Sequence, residues 1–281
     1  MSNFNESFNK KIRIELSEQK GGVALSPAQI KNAVEAAAKA GAGIVKLVGQ
    51  DPVRYSGLKA LVKDIKRTEG IFEVSLTTDG HGLGDAAKGL AAAGLDRVNI
   101  NVDTLKYSKY TGGGELDDIV TAINAATDAG LKPVKLNILL KKDYSEDEIM
   151  DFVQLTLQHQ YEIRFIEMTE EEEAESEYEA LLCADVKKRL PALRPGLMGD
   201  DGKALSDPRD GTADVYKYPG ALGKICFIEK RAADFAQRCA DLYISAAGVL
   251  KRDEKDENGI NLKPIADDKE KLAAAIREIL G

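Results

Sequence analysis

The sequence predicts an α/β fold: a partial (β/α)6 TIM-type barrel followed by a C-terminal antiparallel β/α extension. Between residues 11 and 168, short β-branched runs alternate with longer helical segments six times, the pattern of repeated βα units around a parallel sheet. Ser-Pro and Gly punctuate the helical segments where a helix should start and stop. Beyond residue 168 the alternation ceases, and a Glu-rich run, a Gly/Asp/Pro-rich stretch and short hairpin-like segments replace it. The expected division is a barrel core at 11–168 and an extension at 169–281 that closes it.

Lys11–Leu16 reads as the first strand. Ser26 and Pro27 open the first helix as N-cap and first helical residue, and it ends near Gly41. The second strand is Ile44–Val48, with its helix over about Leu58–Arg67. The third is Glu73–Thr78, with a helix over Asp85–Ala93 stopped by Gly94. The fourth is Arg97–Val102, with a helix from about Leu116 to Ala129. The fifth is Val134–Leu140, after which Ser145 and Glu148 have the spacing of a capping box opening a helix to about Gln160. Glu162–Glu167 is the sixth. In the extension, Glu170–Glu179 holds seven glutamates in ten residues, expected to be a solvated loop or helix. Residues 195–212 read as a loop, 214–230 as a hairpin and 267–280 as a charged terminal helix.

Composition removes several function classes. Thirty-nine basic against 47 acidic residues give a net charge of −8, and no basic face stands out for phosphate neutralisation, so nucleic-acid binding is not expected. No apolar run reaches the roughly 18–20 residues of a membrane span, and the N-terminus lacks a signal-peptide core. A cytoplasmic protein is expected. Three cysteines, Cys183, Cys226 and Cys239, and two histidines, His81 and His159, fit neither a disulfide framework nor a structural zinc site.

In a parallel barrel, ligands gather at the C-terminal ends of the strands. Those positions hold Val48-Gly49-Gln50-Asp51-Pro52, Thr77-Thr78-Asp79-Gly80, Asn101 and Asp103, Lys135 and Asn137, and Arg164 and Glu167. Strand alternation puts Lys135 with Asn137, and Asn99 with Asn101, on shared faces. Inward-pointing cations need an anion or a carboxylate. Lys46, Lys135 and Arg164 therefore suit a phosphorylated or carboxylated ligand, or else pair internally with Asp51, Asp103 and Glu167.

Six segments occur together in order: Val48-Gly49-Gln50-Asp51-Pro52, Leu76-Thr77-Thr78-Asp79-Gly80, Ala93-Gly94-Leu95-Asp96-Arg97-Val98-Asn99, Pro133-Val134-Lys135-Leu136-Asn137, Arg164-Phe165-Ile166-Glu167-Met168, and Tyr218-Pro219-Gly220 with Gly223-Lys224-Ile225-Cys226-Phe227-Ile228. Together they resemble the GTP 3′,8-cyclase family of radical S-adenosylmethionine enzymes, which acts in molybdenum cofactor biosynthesis, from about Ile12 to Asp253. The resemblance implies a radical SAM-type barrel. It puts Arg13, Lys46, Thr77, Lys135 and Arg164 at GTP-contacting positions, and Gly49, Asp51 and Asn101 at the S-adenosylmethionine pocket.

The departures are equally specific. The family's C-x3-C-x2-C loop, whose thiolates hold a [4Fe–4S] cluster, has no counterpart in Ser17-Glu18-Gln19-Lys20-Gly21-Gly22-Val23. The cysteines of its second cluster fall on Ala236, Cys239 and Asp253, and its basic pair falls on Asp241 and Tyr243. In its G-G-E-P stretch, Gln50 replaces a glycine. On this basis no cofactor and no metal are expected. The expected function is that of a cluster-free relative binding a small anionic or nucleotide-like ligand or a protein partner. Two alternatives stay open: a metal-free enzyme using Asp51, Asp103, Glu167 and Lys135, and an interaction scaffold using residues 170–179 or the terminal helix. A cluster shared across an oligomer through Cys183, Cys226 and Cys239 matches no ligand spacing.

Overall fold

A computed structural model describes residues 10–16, 25–110, 116–196, 212–235 and 242–280. Its strands are β1 (Lys10–Glu15), β2 (Ala42–Val48), β3 (Glu73–Thr78), β4 (Arg97–Asn101), β5 (Lys135–Leu140), β6 (Glu162–Glu167), β7 (Arg194–Pro195), β8 (Asp214–Lys217), β9 (Lys224–Ile228), β10 (Leu242–Ile244), β11 (Val249–Lys251) and β12 (Ile260–Asn261). The helices are α1 (Pro27–Lys39), α2 (Leu58–Lys66), α3 (Leu83–Ala93), α4 (Leu116–Asp128), α5 (Ile149–Gln158), α6 (Glu170–Ala174), α7 (Cys183–Arg189) and α8 (Lys269–Leu280). The chain forms two compact units, one of residues 1–98, 121–132 and 240–281, the other of residues 99–120 and 133–239.

In the first unit the strands run β12-β11-β10-β1-β2-β3. β1 pairs in parallel with both β2 and β10, so the last part of the chain returns to flank the first strand. Ile12, Ile14, Val45, Leu47, Val74 and Leu76 are buried on one face. α1 starts as its sequence dictates: the Ser26 hydroxyl accepts from the Gln29 backbone, and the Gln29 side chain accepts from the Ser26 backbone, closing a capping box ahead of Pro27. α8 is fixed near α1 through Asn32 Nδ2 donating to Ala266 O at 3.0 Å and Lys269 Nζ to Glu35 at 3.2 Å.

In the second unit the order is β4-β5-β6-β9-β8-β7, parallel from β4 through β9 and antiparallel thereafter. Phe165 on β6 is its aromatic centre. Phe152 of α5 meets it edge-on at 6.4 Å, and Phe227 of β9 lies 5.7 Å away. The hairpin expected at 214–230 forms as β8 and β9.

The capping box expected at Ser145 and Glu148 does not form. Ser145 Oγ instead accepts from Lys141 N at 2.9 Å and donates to Lys141 O at 3.1 Å. Glu148, fully buried, accepts from Thr104 Oγ at 2.7 and 2.9 Å and from Leu105 N at 2.7 Å. A long-range demand outcompetes the local cap, because a buried hydroxyl and amide need an acceptor more than an exposed helix end does. Residues 146–148 form a 3-10 turn and α5 begins at Ile149. α7 and the strands β10–β12 have no counterpart in the sequence reading, being too short for periodicity to register.

Next to Glu148, the Asp147 carboxylate accepts from Lys106 Nζ at 2.7 Å and from Lys109 Nζ. Those bonds, Lys106's first and then Lys109's, hold its pKa down at about 2. Glu148→Ala is expected to cost about 1–3 kcal/mol in denaturant unfolding, from the orphaned Thr104 hydroxyl and Leu105 amide. Because the folded-state pKa of Asp147 lies below the ordinary 3.8, its contribution is complete above that value and lost as pH falls through about 2. The stability gap between wild type and Asp147→Asn should therefore close on acidification from pH ~5 to ~2.

Candidate functional site

Strand register sets the polar face of the first unit. Tyr243, Arg13, Lys46 and Ser75 are register partners across β10, β1, β2 and β3, and Glu15 and Thr77 follow two residues along on the same face. The Arg13 guanidinium lies 3.1 Å from Glu254 and 5.8 Å from the centre of the Tyr243 ring. Tyr243 OH donates to Glu15 Oε2 at 2.7 Å, and Ala246 N donates to the same oxygen at 3.0 Å. Burial, then the Glu15 carboxylate, pushes the phenol's pKa up, so it stays a proton donor. Lys46 and Thr77 are half-buried.

Beyond β2 the backbone turns at Gly49, whose φ is +153°. A Cβ there would sit 2.2 Å from Leu16 O, so only glycine lets the two post-strand segments approach this closely. Asp51 follows. Its Oδ2 pairs with Arg54 Nε at 3.0 Å, while Oδ1 is shut off from solvent and accepts no hydrogen bond among the described residues. Gln50, between them, is exposed.

The second unit carries a connected polar row. Lys135, 1% exposed, lies 2.7 Å from Glu162 Oε1, and Arg164 Nε is 3.8 Å from that oxygen. Arg164 Nη1 donates to Asn137 Oδ1 at 3.4 Å, and Asn137 Nδ2 to Asn101 Oδ1 at 3.0 Å. The internal counter-ions expected within this unit were Asp103 and Glu167. The structure corrects this to Glu162, which stands in register with Lys135 and two residues before Arg164 on the same face. Glu167 is on the opposite face, where it accepts from Cys183 N at 2.7 Å. Asp103 is largely exposed, 3.8 Å from Lys141. Lys135, Asp103 and Glu167 thus do not converge on one acid–base centre.

The remaining candidates have structural roles. Glu172 and Glu173 of the acidic run pair with Lys230 at 2.6 Å and Arg231 at 2.5 Å, and Thr169 caps α6. The Cys183 thiol donates to Phe165 O and Ile228 O, and burial pushes its pKa up, the opposite of an activated thiolate. Cys226 packs among Ala213, Val215 and Ile228. Residues 17–24, Ala236, Cys239 and Asp241 lie outside the described residues. A cavity of about 470 Å³ between α1 and α2, lined by Lys39, Asp64, Arg67 and Glu69 among others, includes none of the expected site residues. Among the described residues no helix is long and apolar enough to cross a membrane.

Residues 7–156 match the Radical SAM superfamily. The GTP 3′,8-cyclase of Pelotomaculum thermopropionicum is 34% identical over 242 residues, spanning 84% of this chain and 73% of that protein. The chain belongs to the GTP 3′,8-cyclase family of radical SAM proteins. The corresponding cyclase of Peptoclostridium acidaminophilum is 35% identical over 213 residues, 74% of this chain, and the match spans 63% of that relative's length. Among solved structures, SuiB of Streptococcus suis has a similar fold, with a TM-score of 0.64 at 13% identity over 97% of this chain and 68% of that one. Its S-adenosylmethionine-bound form aligns at 0.56 and 13% identity, over 96% and 66%. These agree with the radical SAM-type α/β barrel expected from sequence.

Family membership overturns the expectation that no cofactor belongs to this chain: it points to S-adenosylmethionine and an iron–sulfur cluster as the family's working parts. The Gly49–Asp51 turn fits the first, since it offers a bare backbone and a carboxylate oxygen lacking a donor among the described residues. For the cluster, residues 17–24 contain no cysteine, and no group of three or more His, Cys, Asp or Glu side chains among the described residues is arranged to hold a metal.

Lys135→Ala is expected to cost about 3–5 kcal/mol in chemical denaturation, because Glu162 would be left charged and buried. The double variant Lys135→Met with Glu162→Met should be less damaging than that single change.

Proposed function

We propose that this chain binds S-adenosylmethionine at the Gly49–Asp51 turn, and a nucleotide-like anion along the face bearing Arg13, Lys46 and Thr77. The observation that carries the first part is Asp51 Oδ1, an acceptor shut off from water with no donor among the described residues, beside a glycine whose Cβ-free backbone is obligatory. A buried acceptor of this kind is costly unless a ligand donor completes it, and the ammonium of an amino-acid moiety supplies one. The second part is supported by the cationic side chains brought into register on β1 and β2, and by the GTP 3′,8-cyclase relatives. A place in molybdenum cofactor biosynthesis belongs to the same reading.

Calorimetric titration tests this. S-adenosylmethionine should give saturable heat, weakened about tenfold to a hundredfold by Asp51→Ala, the range for losing a hydrogen bond to a charged group. Unchanged affinity in Asp51→Ala, or no heat with the wild-type chain, would reject the assignment of the turn. GTP should bind separately, with affinity lowered by Arg13→Ala.

A further inference from the structure

β11 and β12 are joined by the turn Arg252-Asp253-Glu254-Lys255-Asp256-Glu257-Asn258. Its side chains hold its own backbone. Asp253 Oδ1 accepts from the amides of Lys255 and Asp256 at 2.9 Å each. The Asp256 carboxylate accepts from Arg252 N at 3.2 Å and Asn258 N at 2.9 Å. The turn thus presents Glu254 in a set position, and Glu254 reaches back across β10 to Arg13 at 3.1 Å. Glu15 stands two residues along the same strand, engaged by Tyr243 OH and Ala246 N. The cation best placed on β1 to receive a phosphate therefore already has a carboxylate against it, with a second carboxylate close by.

We propose that Glu254 is a specificity determinant of the ligand face, favouring nucleosides and monophosphates over triphosphates. This rests on the assignment of Arg13 to a nucleotide-like ligand. A phosphate approaching Arg13 must displace Glu254 or lie beside it. Displacement is inexpensive, because the two side chains are 40% and 59% exposed and such a pair is weak, about a two- to fivefold effect on an equilibrium. Remaining beside it is penalised by about threefold for each added negative charge at ~6 Å in a water-like dielectric. The displacement cost is fixed and the repulsion grows with phosphate count, and both leave a neutral nucleoside almost untouched. The turn compounds the bias with four acids against two bases.

The test is a charge series, guanosine and its mono-, di- and triphosphate, titrated into the full chain and into Glu254→Gln. Glu257→Gln serves as a control of equal charge on the same turn. In the wild type, affinity should not rise from monophosphate to triphosphate. Glu254→Gln should bind the triphosphate about two- to fivefold tighter and guanosine unchanged, and the gain should shrink at high salt. Glu257→Gln should stay near wild type. Equal shifts for guanosine and triphosphate in Glu254→Gln, no shift in either, or an equal gain in Glu257→Gln would overturn the role of Glu254. If neither the wild type nor either variant binds any member of the series, the assignment of a nucleotide-like ligand fails first and this inference falls with it.

Discussion

Charge on the sheet's polar face must be answered by charge, and much of this structure follows from that requirement. In each unit the strands alternate between a largely apolar face and one richer in ionisable groups. An isolated buried ion is prohibitively costly, so deeply placed cations of the sheet have a carboxylate within reach. Arg97 meets Glu73 at 2.6 Å in the first unit, and Lys135 meets Glu162 at 2.7 Å in the second. Arg13, nearer the surface, has Glu254. The deep pairs are commitments of the fold, whereas the shallow one is exchangeable. That difference in depth separates residues able to answer a ligand from residues the scaffold already uses.

The Gly49–Asp51 turn shows the opposite condition. Here the backbone is pressed against Leu16 until no Cβ fits, and a carboxylate oxygen has no donor among the described residues. An acceptor in this condition is one that a bound ligand's donor can complete. Membership of the radical SAM superfamily replaces the cofactor-free expectation that followed from the missing cysteines and from Gln50 in this turn.

Legibility followed the range of the interaction. The Ser26 N-cap of α1, ahead of Pro27, was readable because the groups it engages lie within three residues. The same spacing at Ser145 and Glu148 misled, because Glu148 is claimed by Thr104 and Leu105, more than forty positions away. Strand identities and shared faces emerged correctly from alternation. Glu162 as the partner of Lys135 was within reach, since it sits two residues before Arg164 on a strand already placed, but the acid nearest the C-terminal end of that strand drew attention first. Glu254 was not recoverable: it lies 241 positions from Arg13 on a turn with no periodic signal.

The amino-acid sequence by itself determined the βα repeat, the hydrophobic face of each strand, the family and the bare backbone at residue 49, because these depend on side-chain period, steric bulk and local hydrogen bonds. The tertiary structure alone decided which carboxylate neutralises which cation, and which acceptor is left open. Ion pairing depends on separations of a few ångströms between groups distant in the chain. Those separations are set only when β10 returns beside β1 and β6 aligns with β5.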